Sequence, residues 1–211
     1  MSRRILSAAL SCLLAAVALP GQTVPAGVIL QSASARLNTA DASVGTTIYD
    51  GDRLETQDKG LLSVRSGQVQ LALSEDSLLW MNHENSILTP TLQRGTVTFR
   101  AETGEGVEIR ADDVRVRPHA PVLTVGQVTL EKCDVLVTAN TQALEVTAGK
   151  ETKILEEGKS YRVTRANACG AAQFRAPLAG GQSRFLLVAA VFVGVLAVGS
   201  THKGLESPDR P

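Results

Sequence analysis

Histidines and paired carboxylates are the residues of this chain that could do chemistry, and they are few. Three histidines occur, His83, His119 and His202. His83–Glu84 sets an imidazole beside a carboxylate, and Pro118–His119 offers an imidazole alone. A metal site needs three or four such ligands at recurrent spacings. Neither His83 nor His119 has a second ligand at useful spacing, so both are expected as solvated loop residues and no metal is predicted. Glu75–Asp76 and Asp112–Asp113 are paired carboxylates, a type suited to general acid–base work. Each pair stands in a polar stretch where turn hydrogen bonding is the commoner use. No G-x-S-x-G elbow and no phosphate-binding glycine loop leading into a helix is present. A Ser–His–Asp triad is assembled by the fold rather than by local spacing, and nothing local favours one. The expectation is a non-enzyme without catalytic residues or cofactor, with a hydrolase as the reading from another class.

Recognition chemistry is sparse as well. Trp80 is the single tryptophan, in Leu78–Leu79–Trp80–Met81. It could anchor an interface, but its apolar neighbours favour a place in the core or at its edge. Trp80 with Tyr49 and Tyr161 makes a poor row of stacking aromatics, so a glycan or other small ligand is without support. Arg115 and Arg117, beside Arg110, could offer a basic face to an anionic polymer, although a solvated strand face is the default. The chain carries 21 basic and 21 acidic residues, and that balance gives no electrostatic case for nucleic acid.

Short strands must position these residues. Val69, Leu71 and Leu73 alternate with Gln70 and Ala72, and Val97 and Phe99 alternate with Thr96, Thr98 and Arg100. Val107 and Ile109, Val114 and Val116, Leu144 and Val146, and Tyr161 and Val163 continue the same period. Asp50–Gly51, Gly60, Ser66–Gly67, Arg94–Gly95, Gly104–Gly106, Ala148–Gly149 and Glu157–Gly158 read as breaks between strands. The fold class predicted is all-β, a sandwich or jelly-roll-like domain, with no long amphipathic helix in the body.

Two apolar segments flank that body. Arg3–Arg4, an apolar run over 5–19 and Pro20–Gly21 have the layout of a secretory signal, with small residues at Val24 and Ala26 placing cleavage before Gly27. Residues 185–200 read FLLVAAVFVGVLAVGS without a charge, as a membrane span does. The expected organisation is a signal peptide over 1–26, a β domain over 27–168, a linker over 169–183, a transmembrane helix over 184–202 and a short cytoplasmic tail over 203–211. The domain would then lie in the periplasm, tethered to the inner membrane by one span. Export removes Cys12 with the signal and leaves Cys133 and Cys169 as a pair in an oxidising compartment, where a disulfide is expected. Closing that loop of about 37 residues stabilises by roughly 3–4 kcal/mol in the chain-entropy picture.

Gly-turn spacing carries a family resemblance. Val44–Gly45–Thr46, Ile48, Gly51–Asp52–Arg53–Leu54–Glu55–Thr56 and Gly60, followed by Leu92–Gln93–Arg94–Gly95–Thr96–Val97 and Leu155–Glu156–Glu157–Gly158, resembles the FecR-like periplasmic domain family. Gly45, Gly51, Asp52, Thr56, Gly60, Gly95 and Gly158 are the residues matching its turn motif. Glu75–Asp76–Ser77 and Thr124–Val125–Gly126–Gln127 depart from its pattern. The founding member also has a cytoplasmic segment acting on a sigma factor, and the expected tail here is too short to fold. The resemblance therefore implies an all-β domain contacting a ligand or protein at a bacterial membrane, not iron-uptake signalling. Its partners would be envelope proteins, in a scaffolding role or as an envelope sensor working through a partner.

Overall fold

A computed structural model describes residues 25–104, 106–164 and 173–174. Residues 1–24, 184–202 and Cys169 lie outside the described residues, so the expected signal peptide, the expected span and the expected Cys133–Cys169 disulfide fall there. Among the described residues no helix is long and apolar enough to cross a membrane.

The described chain is all-β. It opens with β1 (Pro25–Leu37), β2 (Ala40–Asp41), β3 (Thr47–Tyr49), β4 (Arg53–Ser66), β5 (Val69–Leu73) and β6 (Leu78–Trp80). A small hairpin of β7 (His83–Glu84) and β8 (Ile87–Leu88) follows, then the long β9 (Thr91–Ala101). The second half holds β10 (Ile109–Ala111), β11 (Val114–Pro118), β12 (Thr124–Leu130), β13 (Asp134–Thr141), β14 (Leu144–Ala148), β15 (Glu151–Leu155), β16 (Ser160–Thr164) and β17 (Gln173–Phe174). All but β7 and β8 join one sheet, in the order β15-β14-β11-β10-β9-β12-β13-β16-β17, with β1 to β6 joined to it through β5 and β6. β1 begins at Pro25, ahead of the expected cleavage point, and Ala26 is buried in the core.

Long strands serve the sheet twice. β4 pairs with β5 over Leu62–Ser66 and with β6 over Arg53–Glu55. β9 does the same, with β5 over Val97–Ala101 and with β6 around Thr91–Arg94. Between the two pairings each strand bends, and Gly60 and Gly95 sit at the bends. A Cβ on Gly60 would come within 2.6 Å of the Ser34 carbonyl oxygen, and one on Gly95 within 2.4 Å of Ser77 Oγ. Both glycines were expected as breaks between strands. They are instead corners within continuous strands, because a glycine that lets backbones approach closely gives the same local signal as one that ends a strand.

Bending lets the sheet cover its own apolar face. Ile29, Val64, Leu71, Phe99 and Gly126 follow one another across β1, β4, β5, β9 and β12. Gly126 has no room for a side chain, since a Cβ there would meet the Phe99 ring at 2.7 Å and Leu144 Cδ1 at 2.8 Å. β14 therefore packs against β9 and β12. Ile109, Val114, Val116, Leu144 and Val146 join the core from that side, all fully buried. Each contributes roughly 1.5–3 kcal/mol of apolar transfer. Val107 extends the alternation only as a single bridge to Leu88.

Candidate functional site

The turn-motif residues build the fold. Gly51 has φ 85 in the turn from β3 to β4, where Asp52 N–H donates to the Tyr49 carbonyl at 3.1 Å. A left-handed residue at that place is the reason for glycine. Asp52 caps the same turn: Tyr49 N–H donates to its Oδ2 at 2.8 Å, and Asn38 Nδ2 to its Oδ1 at 2.8 Å. Gly45, at φ 84, donates its N–H to the Ile29 carbonyl at 2.8 Å. Gly158, at φ 73, does likewise to Ala139 at 2.7 Å. Thr56 is buried, its Oγ1 accepting from Ser77 N–H at 2.9 Å and donating to the Ser74 carbonyl. With Gly60 and Gly95 as corners, these side chains and backbones are spent on turns and bends.

The candidate chemical residues are dispersed. His119 is exposed at the end of β11. Glu75–Asp76 forms the turn from β5 to β6 and Asp112–Asp113 the turn from β10 to β11, with Asp76 at φ 53 and Asp112 at φ 57. No group of three or more metal-binding side chains gathers among the described residues. Cys133 lies exposed in the turn between β12 and β13. His83 departs from the loop expectation. It is half-buried in β7, and its Nδ1 pairs with Asp50 Oδ1 at 2.6 Å.

Trp80 also departs from expectation. Leu79 and Met81 are fully buried, whereas Trp80 is 39% exposed on the opposite face of the sheet. Four apolar residues in a row hid the phase of this strand, and pairing set it. Leu79 lies between Leu54 and Leu92, so Trp80 lies between Arg53 and Thr91. One row along, Glu55 and Arg94 flank Leu78. Arg53 Nη2 reaches Glu55 Oε2 at 2.9 Å, and Arg94 Nη2 reaches Glu55 Oε1 at 3.1 Å. Two guanidiniums thus share one carboxylate beside a half-exposed indole. Only the alternation of Arg53 and Glu55 with buried Leu54 could have signalled this from the sequence.

The face continues through Thr91 to Arg110, then Arg115 and Thr147. Here the suspected basic strip is neutralised. Glu84 grips Arg110 with both oxygens, at 2.5 and 2.7 Å, and Glu108 holds its Nε at 3.0 Å. Glu145 pairs with Arg117 at 2.6 Å. The hydrogen bonds that Arg110 donates lower the Glu84 pKa from its ordinary value, against a smaller desolvation effect, and the same bonds to Glu84 raise the Arg110 pKa. Arg110, Arg115 and Arg117 are offset by Glu84, Glu108 and Glu145, so this strip carries no excess charge for an anionic polymer.

No family model matches the chain, and no curated protein matches it. Two crystal structures of a protein from Parabacteroides distasonis ATCC 8503, described as an anti-sigma factor, at 2.50 and 1.65 Å resolution, are similar in structure. Each gives a TM-score of 0.48 at 15% sequence identity, covering 58% of this chain and 58% of that one. This chain thus spans under two thirds of those chains. At that score and identity the likeness assigns neither a family nor a function.

Proposed function

We propose that this chain is a non-catalytic binding module, of FecR-like and jelly-roll-like type, that docks a partner protein through the outer face around Trp80. The observation carrying this reading is the exposed indole, set between Arg53 and Thr91 while Leu79 and Met81 complete the core beneath it. Trp and Arg are the residues most enriched where interface energy concentrates. Glu55 holds both guanidiniums in place, so little side-chain freedom remains to be lost on binding.

The module's place is the periplasmic side of the inner membrane, with the apolar 184–202 segment as its anchor and a Cys133–Cys169 disulfide closing its C-terminal end. The support for this is the signal-like layout before residue 27 and the uncharged run over 185–200. A scaffold and a sensor acting through its partner would both use the same face, and the partner's identity separates them.

A photoreactive residue at position 80 tests the docking face in membranes. One protein should crosslink there and not from Arg65, and Arg53→Glu with Arg94→Glu should abolish the adduct. Equal capture from both positions would remove the basis for this reading. Reporter activity from a fusion after residue 164 only inside the cytoplasm would refute the location, and two free thiols in exported protein would refute the disulfide.

A further inference from the structure

Away from the Trp80 face, three connections converge at one end of the sheet: the Ser66–Gly67 turn, the β7–β8 hairpin and the loop from β9 to β10. They enclose an open cavity of about 480 Å³ lined by Ser66, Gln68, His83, Ser86, Leu88 and Thr103, among others. That volume falls within the range of small-molecule sites. The hairpin forming one wall turns through Asn85 at φ 51 and Ser86 at φ 67, left-handed at both positions as a two-residue hairpin turn requires. Several ties hold it there. Glu84 grips Arg110, Leu88 N–H donates to the Gly106 carbonyl at 2.8 Å, and Thr89 N–H donates to the Asn82 carbonyl at 2.7 Å. A wall restrained in this way is preorganised, and a ligand loses little by ordering it.

The polar groups of this wall are unspent. Ser66, Ser86, Thr103 and Gln68 make no side-chain hydrogen bond within the described protein. His83 is the exception and the orienting element. Its Nδ1 is engaged by Asp50 at 2.6 Å. A carboxylate there makes Nδ1 the donor and leaves Nε2 for a further partner. Among the described residues that line the cavity there is no arginine, lysine or carboxylate. Val69 and Leu88 lie beneath the hydroxyls as part of the core. Hydroxyls, a carboxamide and a fixed imidazole complement a ligand rich in hydroxyls.

We propose that this cavity binds a neutral polyhydroxylated ligand of sugar size, with His83, held by Asp50, bonding one ligand hydroxyl. The site is independent of the docking face, and without an aromatic platform its affinity is weak. The test is an NMR titration of the full chain in a phosphocholine detergent, avoiding glycoside detergents that would compete. Glucose and N-acetylglucosamine are the probes, with glucuronate as the charged control. Saturable amide shifts confined to residues 66–69, 83–88, 103 and 106 are expected with the neutral sugars. Affinity should fall about tenfold in His83→Gln and in Ser86→Ala with Thr103→Val, as loss of one or two hydrogen bonds requires. Absence of saturable shifts, unchanged affinity in variants that keep the wild-type spectrum elsewhere, or tighter binding of glucuronate would each overturn the assignment.

Discussion

Thr56 and Ser77, 21 residues apart, hold each other across the corner of the sheet. Thr56 N–H donates to the Ser77 carbonyl at 2.9 Å, and Ser77 N–H donates to Thr56 Oγ1 at 2.9 Å. Ser77 Oγ in turn accepts from Thr96 N–H at 2.9 Å, which ties β9 to the same point. All three strands that meet at the bend are therefore linked through two buried hydroxyl side chains.

Thr56→Val keeps the shape of the side chain and removes the hydroxyl. It leaves the Ser77 N–H without its acceptor inside the fold, at a cost of about 1–3 kcal/mol. The urea midpoint should fall with an unchanged slope. A midpoint equal to wild type would mean the corner does not depend on this contact.

Two glycines with similar backbone angles should respond differently to alanine. Gly158→Ala adds a methyl into open space at φ 73, so its cost is the left-handed strain of roughly 1–2 kcal/mol. Gly95→Ala adds the same strain at φ 82 and also drives a methyl to within 2.6 Å of Ser77 Cα. Overpacking raises its total to about 3 kcal/mol or more. Thermal melts of the two variants provide the comparison, and equal losses would exclude the close approach at Gly95.

Leu79 and Trp80 are adjacent and face opposite ways, which fluorescence and stability can both read. Trp80 is the single tryptophan, so native emission should be red-shifted and readily quenched by acrylamide. Trp80→Ala should cost about 1 kcal/mol, the ordinary size of a point change away from the core. Leu79→Ala should cost about 2–5 kcal/mol through its cavity. Blue-shifted, protected emission would place Trp80 in the core.

Glu84 supplies a pH dependence of known sign. Its pKa in the folded protein lies below the ordinary 4.5 because Arg110 donates to it. The stability it adds is present above the unfolded value and is lost as pH falls through the folded one. Wild type and Glu84→Gln should differ by a constant amount from pH 7 to about pH 5 and converge at lower pH. Chemical denaturation across that range decides it, and a gap that widens on acidification would contradict the Arg110 pairing.

Alternation along the chain was enough to place Val69, Leu71, Leu73, Val97 and Phe99 on buried faces, because side chains of a strand alternate whatever it pairs with. Turn chemistry was equally local. The left-handed backbone at Gly51 and the capping by Asp52 follow from residues within three positions of each other. Gly60 and Gly95 were legible as special but not as corners, since the clashing atoms come from Ser34 and Ser77, which are distant in the chain.

What tertiary structure alone decided is which face each ambiguous residue took and which charges met. Trp80 turned outward because Leu79 pairs between Leu54 and Leu92, a register fixed by strands that the local run Leu78–Met81 does not encode. The pairs Asp50–His83 and Glu84–Arg110 join residues 33 and 26 positions apart. Local patterns specify strands and turns because their physics spans a few residues. Sites arise where the bend of the sheet brings distant strands together, and that depends on the packing of the whole core.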